Sequence, residues 1–109
     1  MYAARVIGTV VCTTKDEKLS GRKMQVVQPV NLLNLKDEGK PAVAIDTVGA
    51  GISELVLVVG GSSARQTPLT NNSPVDATIM AIVDYIDIEG RRVFDKNDGK
   101  VGIECIWPE

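Results

Sequence analysis

The sequence predicts a mainly β fold, a small closed barrel carrying one short helix, and three observations lead there. The run Leu55-Val56-Leu57-Val58-Val59 is apolar with no polar alternation, so both faces of that strand have to be covered. Further short β-compatible segments follow one another along the chain, separated by polar or glycine-bearing turns. The whole chain is only 109 residues, so the covering comes either from closing the sheet on itself or from a neighbouring subunit pressed on the barrel.

The segments justify this reading in order. Residues 2–12 hold Val6, Ile7, Val10 and Val11 around Gly8, a strand with a bulge expected at the glycine. A charged loop runs over 13–21. Residues 22–35 carry Met24, Val26, Val27, Val30, Leu32, Leu33 and Leu35, read as one bent strand broken near Pro29. Lys36-Asp37-Glu38-Gly39-Lys40 forms a turn, and strands follow over 41–48 and 54–59. Residues 66–73 are polar and loop-like. Ser73-Pro74-Val75-Asp76 reads as the start of the short helix: serine caps, proline suits the first turn, and an acid three positions on complements the dipole. Residues 79–88 return to strand, Glu89-Gly90 turns a hairpin into Arg92-Val93-Phe94, and a last β-like piece spans 101–107. Short strands with glycine at the corners indicate a Greek-key barrel of the OB-like type.

Composition narrows the function. One domain of this length buries roughly two-thirds of its unfolded surface and folds without metal or disulfide. Hydrophobic residues make up 44% of the chain, but Tyr2, Tyr85, Phe94 and Trp107 are its only aromatics, so the core is aliphatic. Twelve basic against fourteen acidic residues give a net charge of -2, which lacks the cationic excess that nucleic acid or an anionic membrane surface requires. No segment approaches the ~20 apolar residues of a membrane span, and the N-terminal stretch reads as a strand rather than a signal peptide. Cys12 and Cys105 are expected as free thiols of a reducing cytosol, Cys12 as a buried strand thiol.

No catalytic, cofactor or metal site is expected. Histidine is absent, which removes the common triads, the usual zinc sites and the commonest general base. Asp46 and Glu54 read as acceptors that anchor loops, and Asp76 as part of the helix start. Neither Gly49-Ala50-Gly51 nor Gly60-Gly61-Ser62-Ser63 has the lysine or the spacing of a phosphate loop. Their glycines instead permit positive φ or close backbone approach, including approach to another chain. Arg65 reads either as a planar fork pairing with a carboxylate across a subunit contact or as an exposed arginine with no role.

The same residues, taken in order, resemble the vertex proteins of bacterial microcompartment shells, the EutN/CcmL type. The resemblance covers about residues 1–95. It runs through Gly8-Thr9-Val10-Val11, Thr14-Lys15, Leu19, Gly21 and then Val43 to Gly51. It continues with Glu54 and its apolar run, Gly61-Ser62-Ser63-Ala64-Arg65-Gln66, Pro74-Val75-Asp76 and Ile82-Val83-Asp84. It implies a non-enzymatic, cytoplasmic shell component whose OB-like barrel assembles into a pentamer at the five-fold corners of a polyhedral shell, with hexameric shell proteins of another fold as partners. It also implies that Val48, Gly49, Ala50, Gly51, Ile52 and Ser53 lie near a central pore. Arg65, Asp76, Asp46, Glu54, Ser62 and Ser63 become the candidates for subunit contacts. Residues 96–109 exceed the usual family length and are expected as a C-terminal extension adding an edge strand. The competing reading is an OB-type binding module for single-stranded nucleic acid or sugar, disfavoured by the shortage of aromatic platforms and cationic groove.

Overall fold

A computed structural model describes residues 1–12, 23–60 and 77–97, together with the backbone of 100–101. Its strands are β1 (Tyr2–Val10), β2 (Lys23–Pro29), β3 (Ala42–Asp46), β4 (Leu55–Gly60), β5 (Ala77–Ile82), β6 (Tyr85–Ile88), β7 (Arg91–Asp95) and β8 (Lys100–Val101). The first five close into a barrel in the order β1-β2-β3-β5-β4, and the last three form a separate sheet in the order β6-β7-β8. All barrel pairs are antiparallel except β3 with β5, which run parallel and complete the closure. This is the strand order of an OB-like Greek-key barrel.

Closure requires strands that bend. The register between β1 and β2 slips between Val6 and Gly8, at the glycine where a bulge was expected, leaving Ile7 as the extra residue. A second slip falls between Leu57 and Val58 in the β4–β5 ladder. Inside, Ala4, Val6, Val27, Ala44, Ala50, Val56, Val58, Ala77 and Ile79 form one buried cluster. A five-stranded lumen is narrow, which is why alanine and valine fill it and Ile79 is the largest side chain enclosed.

The unbroken apolar character of β4 now has its explanation. Val56 and Val58 point into the barrel, while Leu55 joins Ala3, Val30 and Leu35 in a second cluster outside it. Leu57, Val83, Ile86 and Phe94 pack against that second cluster, so the β6–β7 hairpin lies over the outer face of β1 and β4. The hairpin turns at Glu89 (φ 52°) and Gly90 (φ 78°), two successive left-handed residues that match the twist of a two-residue connection.

Three expectations change. The bent strand over 22–35 is shorter: β2 ends at Pro29, which has no N–H to donate, and beyond it Val30 N makes a last bond to Ala3 O while Val30 bridges to Asp37. Beyond it the Asn31 side chain accepts from Leu33 N, and Leu35 N bonds Asn31 O, so the chain turns instead of extending. The strand over 79–88 divides into β5 and β6, with Val83 leaving the ladder to donate to Leu55 O. Cys12 is half-buried and lies beyond β1, because the pairing stops at Val10 opposite Met24. The helix expected from residues 73–76 lies outside the described residues, and β5 begins immediately after it at Ala77. The two residues of β8 pair with Phe94 and Asp95, so they extend the hairpin sheet.

Replacing Ile79, which is fully enclosed, by alanine should lower stability by about 2–5 kcal/mol through lost burial and the cavity left behind. Chemical denaturation at fixed protomer concentration measures it; a change under about 1 kcal/mol would show that the lumen collapses freely around that site.

Candidate functional site

The loop that joins β3 to β4, residues 47–54, is held from three directions. From within the barrel, the Asp46 carboxylate at the end of β3 accepts from the backbone N–H groups of Val48 and Gly49, both at 2.9 Å through Oδ1. Its other oxygen accepts from Gln25 Nε2 at 3.2 Å. Gln25 also donates to Ala50 O, and Lys23 Nζ reaches the same carbonyl at 3.4 Å. Thr9 Oγ1 completes the chain by donating to Gln25 Oε1 at 3.1 Å. The Asp46 side chain is fully enclosed, with Lys23 Nζ 4.0 Å away at the barrel mouth. A buried carboxylate is tolerated here because amide donors and a cation surround it.

From β1, Val6 O accepts from Ser53 N at 2.8 Å, while Val6 N donates to Glu54 O at 3.0 Å. This continues the β1–β4 pairing past Leu55 and pins the end of the loop. From the loop itself, Glu54 Oε1 accepts from Gly51 N at 2.6 Å, and Glu54 N bonds Gly51 O. Gly49 (φ 77°) and Ser53 (φ 76°) take the left-handed conformation that folds the loop back on itself. A Cβ added at Gly51 would stand 3.3 Å from the Glu54 carboxylate, so the tight turn is built around that acid.

Within this frame the candidate residues separate. Ala50 turns inward and is fully buried in the barrel cluster. Val48 and Ile52 turn outward, 39% and 58% exposed, on a backbone that the polar network fixes. The reading of Asp46 and Glu54 as loop anchors is borne out by these hydrogen bonds. Arg65, Ser62, Ser63 and Asp76 lie outside the described residues.

Sequence reasoning missed Gln25 and Lys96. Gln25 carries a signal, as a polar residue at an inward position of a strand, flanked by Met24, Val26 and Val27. Lys96 carries none: it lies 42 residues from Glu54, to whose Oε2 it donates at 2.7 Å. That contact holds Glu54 below its usual 4.5, helped by the Gly51 N–H and opposed by partial burial, and it raises Lys96 above its usual 10.5. Beside the end of the loop, Arg5, Val30, Leu35, Ser53, Leu55 and Phe94 line a cleft of about 80 Å³. That is well under the ~300 Å³ at which small-molecule sites begin.

The family described as "Ethanolamine utilisation protein EutN/carboxysome" matches residues 1–84. The bacterial microcompartment shell vertex protein GrpN of Rhodospirillum rubrum is 47% identical over 87 residues, covering 80% of this chain and 97% of its own length. Among solved structures, Gloeobacter violaceus CcmL superposes with a TM-score of 0.85 at 36% identity, over 90% of this chain and all of its own. The GrpN pentameric microcompartment shell protein gives a TM-score of 0.73 at 46% identity, over 81% of this chain and 99% of its own.

Asp46→Ala should cost about 1–3 kcal/mol, since it removes the acceptor of the buried Gln25 amide and of the part-buried Val48 and Gly49 N–H groups. An unaltered denaturation midpoint would mean that the loop does not depend on the carboxylate. The Glu54–Lys96 pair has a pH signature of its own. Glu54 titrates lower in the folded chain than unfolded, so its contribution is present above about 4.5 and drains away as pH falls through the lowered value. Lys96 titrates higher when folded, so its contribution is present below about 10.5 and is lost as pH rises through the raised value. The stability gap between the native chain and Glu54→Gln should therefore be steady near neutrality and narrow as pH falls below about 4.5 and through the lowered value; thermal melts whose gap does not narrow on acidification would contradict the assignment.

Proposed function

The chain belongs to the EutN/CcmL family, and from that premise we propose that it is a structural shell protein, five copies of which close into a ring capping the vertices of a polyhedral bacterial microcompartment in the cytoplasm. The relative GrpN, 46% identical in the superposed structure, is described as a pentameric microcompartment shell protein, and that observation carries the reading. A ring of identical heterologous contacts closes only when each copy presents the same rigid surface at a fixed angle. The glycine-bearing loop is suited to this: interior hydrogen bonds set its backbone, and its Val48 and Ile52 side chains face outward.

In this proposal Val48, Gly49, Ile52 and Ser53 face the ring axis, while Ala50 holds the loop to the barrel from inside. Gly51 gives the loop its tight turn, and Asp46 and Glu54 shape the loop rather than forming the contact themselves. Arg65, with Ser62, Ser63 and Asp76, is assigned to the contact between neighbouring copies. Residues 96–109 are a C-terminal extension that adds an edge strand. Hexameric facet proteins of the shell are the further partners, and the chain catalyses no reaction. The alternative of a small OB-type ligand-binding module gains little from an 80 Å³ cleft.

Native mass spectrometry at near-physiological salt should give a mass near five times the 11.7 kDa protomer. A stable monomer, or a closed ring of any other number, would overturn the vertex assignment.

A further inference from the structure

The residues that the family description matches end at 84, yet the chain beyond them reaches back into the loop. Lys96 follows β7 directly and donates to Glu54 Oε2 at 2.7 Å, while Glu54 Oε1 accepts from Gly51 N. Lys96 is itself aimed. Its own N–H donates to Asp84 O at 2.9 Å, at the entry to the hairpin. Asp95 accepts from Asn97 N, shaping the turn in which Lys96 sits. Asp95 is in turn held by Arg92 at 2.8 Å, and Arg92 also binds Asp87 at 2.7 Å while lying 4.1 Å above the Tyr85 ring. A continuous set of polar contacts thus runs from the hairpin sheet through Lys96 and Glu54 to the backbone of Gly51. The hairpin is anchored beside Glu54 by Val83 N, which donates to Leu55 O.

We infer that Lys96 is a positioning residue for the glycine-bearing loop: through Glu54 it makes the order of residues 51–53 depend on the seating of the β6–β8 sheet. Without Lys96, Glu54 keeps its acceptor for Gly51 but loses the partner that fixes its carboxylate, and the turn over 51–54 samples open forms more often. The inference stands on contacts within one protomer. Its consequence for an axial opening, where five such loops would be tuned by five hairpin sheets, rests on the pentameric reading above.

The test is amide hydrogen exchange read by NMR on the full chain in its native assembly, with native mass recorded on the same samples so that the ring number is judged separately. Lys96→Ala should speed exchange at the Gly51 amide up to about fivefold, the scale an exposed ion pair supplies. Exchange at Val56 and Val58 in the barrel should stay unchanged, and Lys96→Arg should restore most of the protection. Glu54→Gln should reproduce the effect, and the double variant should add nothing to it. Unchanged exchange at Gly51 in Lys96→Ala would overturn the inference. So would equal acceleration at Val56 and Val58, which marks a residue of global stability, or additive effects in the double variant.

Discussion

Closing five short strands into one barrel is the constraint from which the rest of this structure follows. Closure removes the sheet edges that a small β protein would otherwise expose, but it leaves a lumen too narrow for large side chains. The interior is accordingly alanine and valine, with Ile79 the largest side chain fully enclosed among the described residues. Closure also forces the ladders to slip, beside Gly8 and again between Leu57 and Val58. It depends on the single parallel contact of β3 with β5, two residue pairs long. Thr47 supports that junction by donating to Ile79 O at 2.7 Å, next to where the glycine-bearing loop departs.

A narrow lumen has polar consequences at its mouth. Where β2 begins and β3 ends, the core gives way to Gln25 and Asp46, both buried and both hydrogen-bonded. In a medium of low dielectric such groups are costly when unpaired, and when fully paired they specify one geometry. Here the geometry they specify is that of residues 47–51, whose amides and carbonyl supply the partners. The loop is therefore ordered by the barrel's interior, and its outward side chains are free for contact with other molecules. That division suits an assembly protein, in which the surface offered to a neighbour has to be the same in every copy.

The hairpin sheet supplies a second layer over β1 and β4 and a second hold on the loop. Its apolar side completes the cluster around Leu55 and Val30, which is why β4 has no polar face. Its polar side carries the Arg92 cluster, where Asp87 and then Asp95 raise the guanidinium further above its already high range. Such exposed pairs contribute little to stability individually. Their effect is positional, because they fix the turn from which Lys96 reaches Glu54.

Much of this was legible in the chain itself. The apolar run of β4 announced coverage on both faces, Gly8 announced a bulge, Glu89-Gly90 announced a hairpin, and Asp46 and Glu54 announced loop anchors. These are local signals: each depends on the period of a segment or on the conformational reach of one residue. The spacing of motifs from Gly8 to Asp84 carried the family in the same way. What the sequence could not decide was whatever depends on groups distant along the chain meeting in space. Asn31 turned the chain where a strand was expected, because the ladder ended at Pro29. Ala50 faces the core and Ile52 faces outward because the backbone between Gly49 and Ser53 reverses, and no periodicity encodes that reversal. Lys96 found Glu54 only once the hairpin had folded over β4. The sequence by itself determined most of the strands, the Gly8 bulge, the Glu89-Gly90 hairpin and the family; the tertiary structure alone decided where β2 ends, where β5 gives way to β6, which loop residues face outward and what holds them, because those outcomes rest on burial and on hydrogen bonds between segments that only folding brings together.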